Sequence, residues 1–320
     1  MQPFVNTGEP ATIEVIGVDG SSWTVSGANQ GYEGVVLDAG PQGLAEAPRN
    51  GIWQQSAFQE GSTFLGVTVE PIDLVLGFQV WGDEENWQDV SSRFRKAFDY
   101  TKQATLQVST ESGTRSLKVQ LLEAPQRDQE KDPRLLHYSL EVYTFRAAWP
   151  YWESEDEYVT HKFSPDSLSS APDRGSAEFN ALPRHVQGAL SLNKSATHYY
   201  AGSLTVENPC DTPLWPEWAL TSPGSWGISD SSYMDDDMAN RFIVTPTLSA
   251  GISIDTYPRN EPYVATDGSN IAGQFGGLLF LNPIPPHTER MEVPFVYAGS
   301  SGGEITLRMR RWWNGPWGGE

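Results

Sequence analysis

The chain is poor in features that secreted and membrane proteins usually carry. One of its 320 residues is a cysteine, Cys210, so no intramolecular disulfide can form and stability must come from packing or association. No apolar run approaches the roughly 18 residues that a membrane-spanning helix needs. Residues 1–6 lack the basic and then apolar layout of a signal peptide. We therefore expect no membrane partner and no export signal, and assembly in a reducing cytoplasm.

Basic residues are also scarce. The chain has 21 Lys and Arg against 41 Asp and Glu, which gives a formal net charge of −20 at pH 7. A protein with this net negative charge repels the phosphate backbone of a nucleic acid, which argues against sequence-specific nucleic-acid binding. Solubility alone can account for an acidic surface, so the charge names no partner by itself.

Motifs for metal-dependent catalysis and nucleotide binding are missing. The sequence has no H-E-x-x-H pair, no Walker loop and no glycine-rich dinucleotide fingerprint. The Gly and Ser run at 299–303 is expected to be a turn, because strands rather than a helix follow it. The five histidines lack the spacing of metal ligands: His137, His161, His185, His198 and His287. We predict no catalytic residue, no metal ligand and no cofactor.

Two acidic clusters need separate interpretation. Asp230 with residues 235–237 could hold a hard cation only if the loop folded back to converge its oxygens, and a solvated loop is the simpler interpretation. The acidic residues of 153–157 could be imagined as glycosidase carboxylates. Such a pair stands about 5 to 10 Å apart across a cleft, whereas these crowd into one polar segment.

One amphipathic helix stands out in a sequence that otherwise indicates β-strands. A helix over about 83–100 collects five apolar side chains on one stripe: Trp87, Val90, Phe94, Ala97 and Phe98. Acidic residues at 83–85 and basic residues at 93–96 suit the two ends of a helix in that direction. The stripe predicts a sheet for the helix to cover.

Short alternating runs on both sides of this helix predict the first domain, residues 1–150. Residues 40–62 between them resemble a long loop or an open hairpin, of the kind that is often functional or ordered by something else. The predicted strands are 12–18, 22–26, 34–37, 65–69, 74–81, 106–108, 117–121 and 138–145, with a turn at 111–114.

The second half begins with a change of composition. Residues 151–188 are acidic, rich in Ser and Pro and weakly periodic, and we interpret them as a linker or surface arm. Residues 189–320 then form the C-terminal domain, an antiparallel sandwich of the jelly-roll type. Its predicted strands are 189–192, 202–207, 215–221, 241–244, 251–257, 277–281, 291–297 and 304–310.

Aromatic residues of the second half leave two alternatives open. One group could stack sugar rings or fill the core: Trp215, Trp218, Trp226, Tyr233 and Tyr257. The other group, Trp312, Trp313 and Trp317, could dock on its own chain or contact another subunit, because exposed indoles at a chain end favour aggregation.

The order of these elements resembles the distal tail proteins of siphophages. The resemblance rests on residues 76–83, 94–97 and 117–121 in the first half, and on further segments in the second: 203–209, 214–218, 283–286 and 291–296. Residues 310–318 resemble the Trp-rich C-terminus of many actinobacteriophage minor tail proteins. The segment 151–188 has no counterpart in this resemblance.

The resemblance implies a mainly β protein. It would have an N-terminal tail-tube-like β-sandwich with one flanking α-helix, and a C-terminal galectin-like or jelly-roll β-sandwich. It further implies a structural ring subunit, hexameric in the family, that joins the tail tube to the tail tip and leaves an acidic channel for DNA. The implied partners are the tail tube protein, the tail tip hub protein and the tape measure protein. The implied location is the virion tail tip, after assembly in the host cytoplasm.

Two other functions are kept as alternatives. A carbohydrate-binding module for the host cell wall would use the aromatic residues of the C-terminal domain. A tail-associated glycosidase would need a pair of working carboxylates, and we expect none.

Overall fold

The structure is a computed structural model, and it describes residues 10–82, 86–128, 132–221, 223–230 and 241–319. The chain is mainly β, as predicted. It divides into two compact units: residues up to 155 together with 312–319, and residues 156–311. Among the described helices, none has the length and apolar character needed to cross a membrane.

The first unit is built on one long antiparallel sheet with strand order β2-β1-β7-β8-β10-β6-β3. Strand β9 pairs with β10, β11 pairs with both β8 and β22, and β4 and β5 form a separate two-stranded sheet. The strands are β1 (Thr12–Ile16), β2 (Ser22–Ser26), β3 (Val35–Leu37), β4 (Arg49–Gln54), β5 (Thr63–Val69), β6 (Ile72–Trp81), β7 (Ala104–Thr110), β8 (Gly113–Leu121), β9 (Gln126–Asp128), β10 (Tyr138–Ala147), β11 (Trp152–Glu153) and, from the chain end, β22 (Trp312–Trp313). Two helices accompany them: α1 (Trp87–Lys96) and α2 (Pro133–Leu136).

Helix α1 is shorter than the predicted 83–100. Asn86 caps its start, because the Asn86 side chain accepts a hydrogen bond from the Gln88 backbone N–H. The basic residues predicted for its end lie in the last turn. The acidic residues at 83–85, predicted for its start, fall outside the described residues. All five residues of the predicted stripe are buried, the last two in the turn that follows the helix.

Phe94 is the centre of the core between helix and sheet. Its side chain is inaccessible to solvent, and its ring makes edge-to-face contacts with three strands. The ring centroids lie 5.1 Å from Trp23, 4.9 Å from Phe78 and 5.6 Å from Tyr143. Such aromatic pairs add to the stabilisation from burial.

The second unit is a sandwich of two five-stranded sheets. Their orders are β12-β21-β15-β18-β19 and β13-β14-β20-β16-β17, and one apolar core draws side chains from both sheets. The elements are β12 (Glu157–Phe163), β13 (Ser169–Ser170), α3 (Ala177–Ala181), α4 (Arg184–Leu192), β14 (His198–Asn208), β15 (Glu217–Leu220), β16 (Ser225–Ser229), β17 (Phe242–Val244), β18 (Ile252–Asp255), β19 (Tyr263–Ala265), β20 (Thr288–Ala298) and β21 (Gly303–Met309). Short 3₁₀ helices span Pro165–Ser167 and Ala272–Phe275.

The prediction of a linker or arm at 151–188 is wrong. Strand β12 lies at the edge of a sheet and pairs with β21 along its whole length. An edge strand exposes alternate side chains, so its composition is polar like that of a linker. The start of α4 also lies in this segment, and Val186 packs in a small apolar cluster with Val296 and Ala298 of β20.

Three further boundaries differ from the prediction. Residues 189–192 end helix α4 instead of forming a strand, because Val186, Ala189 and Leu190 form a buried helical stripe. Residues 277–281 form no strand, since Gly276 and Gly277 both have positive φ angles, of 59° and 83°. The second unit ends at Arg311, so the C-terminal tryptophans belong to the first unit and not to a domain 189–320.

Candidate assembly surfaces

The hairpin of β4 and β5 is the most exposed element of the first unit. Strand β4 and the loop that follows it lie in the segment 40–62, where the sequence allowed an open hairpin, and β5 begins just after this segment and runs to Val69. The register shifts between Ile52 and Trp53, which marks a bulge. Trp53 and Phe64 meet edge to face across the strands, with ring centroids 5.0 Å apart.

Apolar side chains of this hairpin are open to solvent. Trp53 is 61% exposed, and Phe58 at the tip is fully exposed with a φ of 67°. A positive φ is strained for a bulky side chain. Ile52, Phe64, Leu65 and Val67 are each about half exposed. An isolated two-stranded hairpin is at best marginally stable in water. The hairpin is therefore an exposed apolar surface of the first unit.

A groove lined by both apolar and polar side chains provides a second surface on the same unit. Its volume is about 1130 Å³, and its lining includes Tyr32, Val90, Trp81 and Leu136. Tyr32 is 89% exposed, and Trp81 and Leu136 are each about half exposed. Sequence reasoning missed this groove, because its residues come from segments that lie far apart in the chain.

The C-terminal residues 312–319, here called the strap, dock on the first unit. Trp313 pairs with Trp152 across β22 and β11, and the Trp313 indole N–H donates to Ser154 Oγ at 2.9 Å. The guanidinium carbon of Arg115 lies 3.7 Å from the centroid of a Trp313 ring, within cation–π range. Trp312 and Trp313 are buried, whereas Trp317 is half exposed.

Acidic residues of the segment 153–157 have structural roles. The Asp156 carboxylate accepts from Arg308 Nε at 2.8 Å, and Glu157 pairs with Arg311. Glu153 pairs with Ser116 in the sheet. Carboxylates engaged with arginines, or placed in a strand, do not form the open cleft that a glycosidase requires.

Asp230 also has a structural role. Its carboxylate accepts from the backbone N–H groups of Leu281 and Asn282 at 3.0 and 3.1 Å, and it forms an ion pair with Arg241. Its proposed companions at 235–237 fall outside the described residues. Within the part of the chain that the structure describes, no three His, Cys, Asp or Glu side chains converge as metal ligands.

The run at 299–303 joins β20 to β21. Its Gly-Ser-Ser-Gly-Gly sequence has the G-x-S-x-G spacing, but a nucleophile elbow leads from a strand into a helix. Here a second strand follows, and Ser301 Oγ forms a hydrogen bond with the Tyr297 hydroxyl at 2.8 Å. The predicted break between two strands is therefore present as a bend at 299–301, with Gly303 already in β21.

The four described aromatic residues considered for sugar binding do not form one platform. Trp218 and Trp226 are buried in the sandwich core, and Tyr233 falls outside the described residues. Trp215 and Tyr257 are half-buried, with centroids 6.2 Å apart and ring planes at 84°. Perpendicular rings offer no common face for stacking.

A buried carboxylate lies beneath helix α1. Glu141 Oε1 accepts from Ser91 Oγ at 2.7 Å, Glu141 Oε2 accepts from the Tyr143 hydroxyl at 2.9 Å, and Arg127 Nε lies 3.2 Å from Oε1. Burial, together with the Glu141 carboxylate, raises the pKa of Tyr143, so its hydroxyl remains a donor. This network ties α1 and β9 to β10.

Comparison with solved structures defines the class of fold. The chain matches the Dit protein (gp 19.1) of phage SPP1, described as a paradigm of the hub adsorption apparatus in phages that infect Gram-positive hosts. The match has a TM-score of 0.54 at 9% identity and covers 94% of this chain and 98% of that chain. The fold is therefore that of a phage Dit hub protein.

Comparison with curated proteins identifies the relatives. The chain is 29% identical over 336 residues to minor tail protein Gp27 of Mycobacterium phage D29, a match that covers 96% of this chain and 98% of that protein. It is 28% identical over 351 residues to Gp27 of Mycobacterium phage L5, with the same coverage. The chain is homologous to these minor tail proteins over nearly its whole length, which confirms the resemblance to phage tail proteins. No family model matches the chain.

Proposed function

We propose that this chain is a structural subunit of a phage tail and forms a ring between the tail tube and the tail tip. Homology to minor tail proteins and the Dit fold support the location in the tail. The observation that carries the ring is the β4–β5 hairpin, whose aromatic side chains are uncovered within their own unit. Association with a second copy buries them, as obligate interfaces bury their aromatic anchors.

A ring needs two different surfaces on each copy. Contacts that repeat head to tail close into a ring when a protruding surface fits a separate concave one. The hairpin is the protruding surface of the first unit, and the groove at Tyr32 and Trp81 is the concave one. In our proposal, the hairpin of one copy enters the groove of the next. The resemblance to distal tail proteins suggests six copies.

The open face of the long sheet is our candidate for the channel lining. Helix α1 covers the face that carries Phe78 and Tyr143. The opposite face carries partly exposed hydroxyl and amide side chains together with charged side chains of both signs: Thr105, Gln107, Ser116, Gln120, Thr144, Glu14, Asp73, Lys118 and Arg146. A lining of this kind lets DNA pass without gripping its phosphates. In this proposal the lining carries charges of both signs, whereas the net charge alone suggested an acidic channel.

Lysine substitutions test this lining. Thr105→Lys with Gln107→Lys should leave assembly intact but lower plating efficiency at least about tenfold, because each new phosphate contact strengthens DNA binding steeply. Glu at the same two positions is the matched control and should plate like the wild type. Equal plating of the Lys and Glu variants would exclude this face as the lining.

The remaining assignments follow from the ring. The partners we propose are the tail tube protein above it, the tail tip hub protein below it and the tape measure protein within the tail. The ring would assemble in the host cytoplasm and act as a connector rather than an enzyme.

Native mass spectrometry of the purified full-length chain tests the ring directly. We expect a closed oligomer, with a ring visible by electron microscopy at the tip of intact tails. A strictly monomeric protein that is also absent from purified tails would contradict the proposal.

A further inference from the structure

The strap contacts the root of the exposed hairpin. Arg49 is the first residue of β4, and its Nη2 donates to Oδ1 of the buried Asn314. The next residue of the strap, Gly315, accepts from Arg115 Nη1 at 2.9 Å. The strap, whose Trp312 and Trp313 are buried on the first unit, therefore also holds the base of the hairpin.

The hydrogen bond from Arg49 to Asn314 differs from the other side-chain hydrogen bonds of the hairpin, because it leaves the hairpin. Its other side-chain hydrogen bonds stay within the hairpin and its flanks, for example from Asn50 Nδ2 to Glu70 Oε1 at 3.2 Å and from Gln59 Nε2 to Thr63 Oγ1 at 3.0 Å. Among the described residues, the bond from Arg49 to Asn314 is the one side-chain hydrogen bond that ties the strands β4 and β5 to the rest of the first unit. Loss of this bond would free the root while leaving the hairpin itself intact.

We propose that the strap is a conformational device that fixes the hairpin at its root and so controls association between copies. This inference rests on the proposed ring. The strap follows the second unit in the chain, so residues 156–311 are synthesised before the first unit is complete. Docking of the strap then orients the hairpin toward the neighbouring copy. Ring formation thus waits until the second unit has been made.

The burial of the tryptophans keeps the strap in place. Trp312 lies 4.8 Å from Trp149, between ring centroids, and stacks on Tyr151 with ring planes at 9°. Fully burying a large apolar side chain stabilises a fold substantially. The hydrogen bond from Arg49 to Asn314 is here called the anchor. It can therefore be removed while the tryptophans still hold the strap on the first unit.

Asn314→Ala in the full-length chain tests the device. At a concentration where both proteins are monomeric, we expect a melting temperature close to that of the wild type and at least tenfold faster amide hydrogen exchange in 49–54 and 63–69. At higher concentration we expect a severalfold smaller fraction of protein in rings. Asn314→Asp is the matched control, because its carboxylate still accepts from Arg49, and it should restore both slow exchange and rings. Unchanged exchange and rings in Asn314→Ala would overturn the proposal.

The exchange measurement separates this device from the ring itself. It is made on monomers at low concentration, where the anchor either protects the hairpin or does not. If wild-type protein forms no rings but Asn314→Ala still accelerates exchange, the ring proposal fails and the anchor stands. If wild-type protein forms rings and Asn314→Ala forms them equally well, the anchor does not control assembly.

Discussion

Two groups of aromatic side chains in the first unit have similar chemistry and opposite surroundings. Phe94 is fully buried between Trp23 and Phe78, whereas Trp53 and Phe58 on the β4–β5 hairpin are mostly exposed. Burial of the first group is complete within the chain, so its contribution to stability needs no partner. Exposure of the second group costs free energy until another surface covers it. The difference separates residues that hold the fold from residues available for assembly.

Replacement of Phe94 should have the largest effect. Phe94→Ala removes a ring from a closed aromatic core and should cost about 3–5 kcal/mol, enough to unfold many domains. Phe58→Ala is the matched control, because a surface substitution usually changes stability by less than about 0.5 kcal/mol. Urea denaturation of both variants measures the contrast. Equal loss of stability would show that the hairpin tip is packed in the free chain.

Replacement of Glu141 should have a smaller effect. Glu141→Gln keeps the shape but removes the charge that Arg127 faces and weakens acceptance from Ser91 and Tyr143, at a cost of about 1–3 kcal/mol. The same urea titration measures it. Glu292→Gln is the control, because the Glu292 carboxylate accepts hydrogen bonds from Ser203 and Thr205 at a solvent-exposed site. An unchanged free energy of unfolding in Glu141→Gln would show that the network does not stabilise α1.

Much of the fold follows from the sequence, since apolar periodicity specifies elements that bury one face. The stripe at Trp87 to Phe98 and most strands of the first domain were predicted in this way, whereas β4, β9 and β11 were not. Periodicity does not identify the buried face when polar residues occupy it. On β10 it is Ser139 and Glu141 that are buried, while Leu140 and Val142 are half-buried. Side-chain hydrogen bonds across 50 residues decide this, and no local pattern encodes them.

The assembly surfaces could be predicted only in part. A long segment with isolated aromatics indicated a long loop or an open hairpin, either functional or ordered by something else. Burial of Trp312 and Trp313 on the same chain was one of two alternatives. Their return to the first unit depends on pairing between Trp152 and Trp313, which are separated by the entire second unit. The groove likewise depends on tertiary structure, because Tyr32 and Leu136 meet only in the fold.

The most direct test of the account is the oligomeric state of a hairpin variant. Trp53→Ser with Phe58→Ser should give a protein that melts like the wild type at a concentration where both are monomeric, and that remains monomeric by native mass spectrometry at concentrations where the wild type forms rings. Leu192→Ser with Leu279→Ser, at two exposed leucines of the second unit, is the matched control and should form rings like the wild type. Rings that persist in the hairpin variant would contradict the central claim that this hairpin joins one copy to the next.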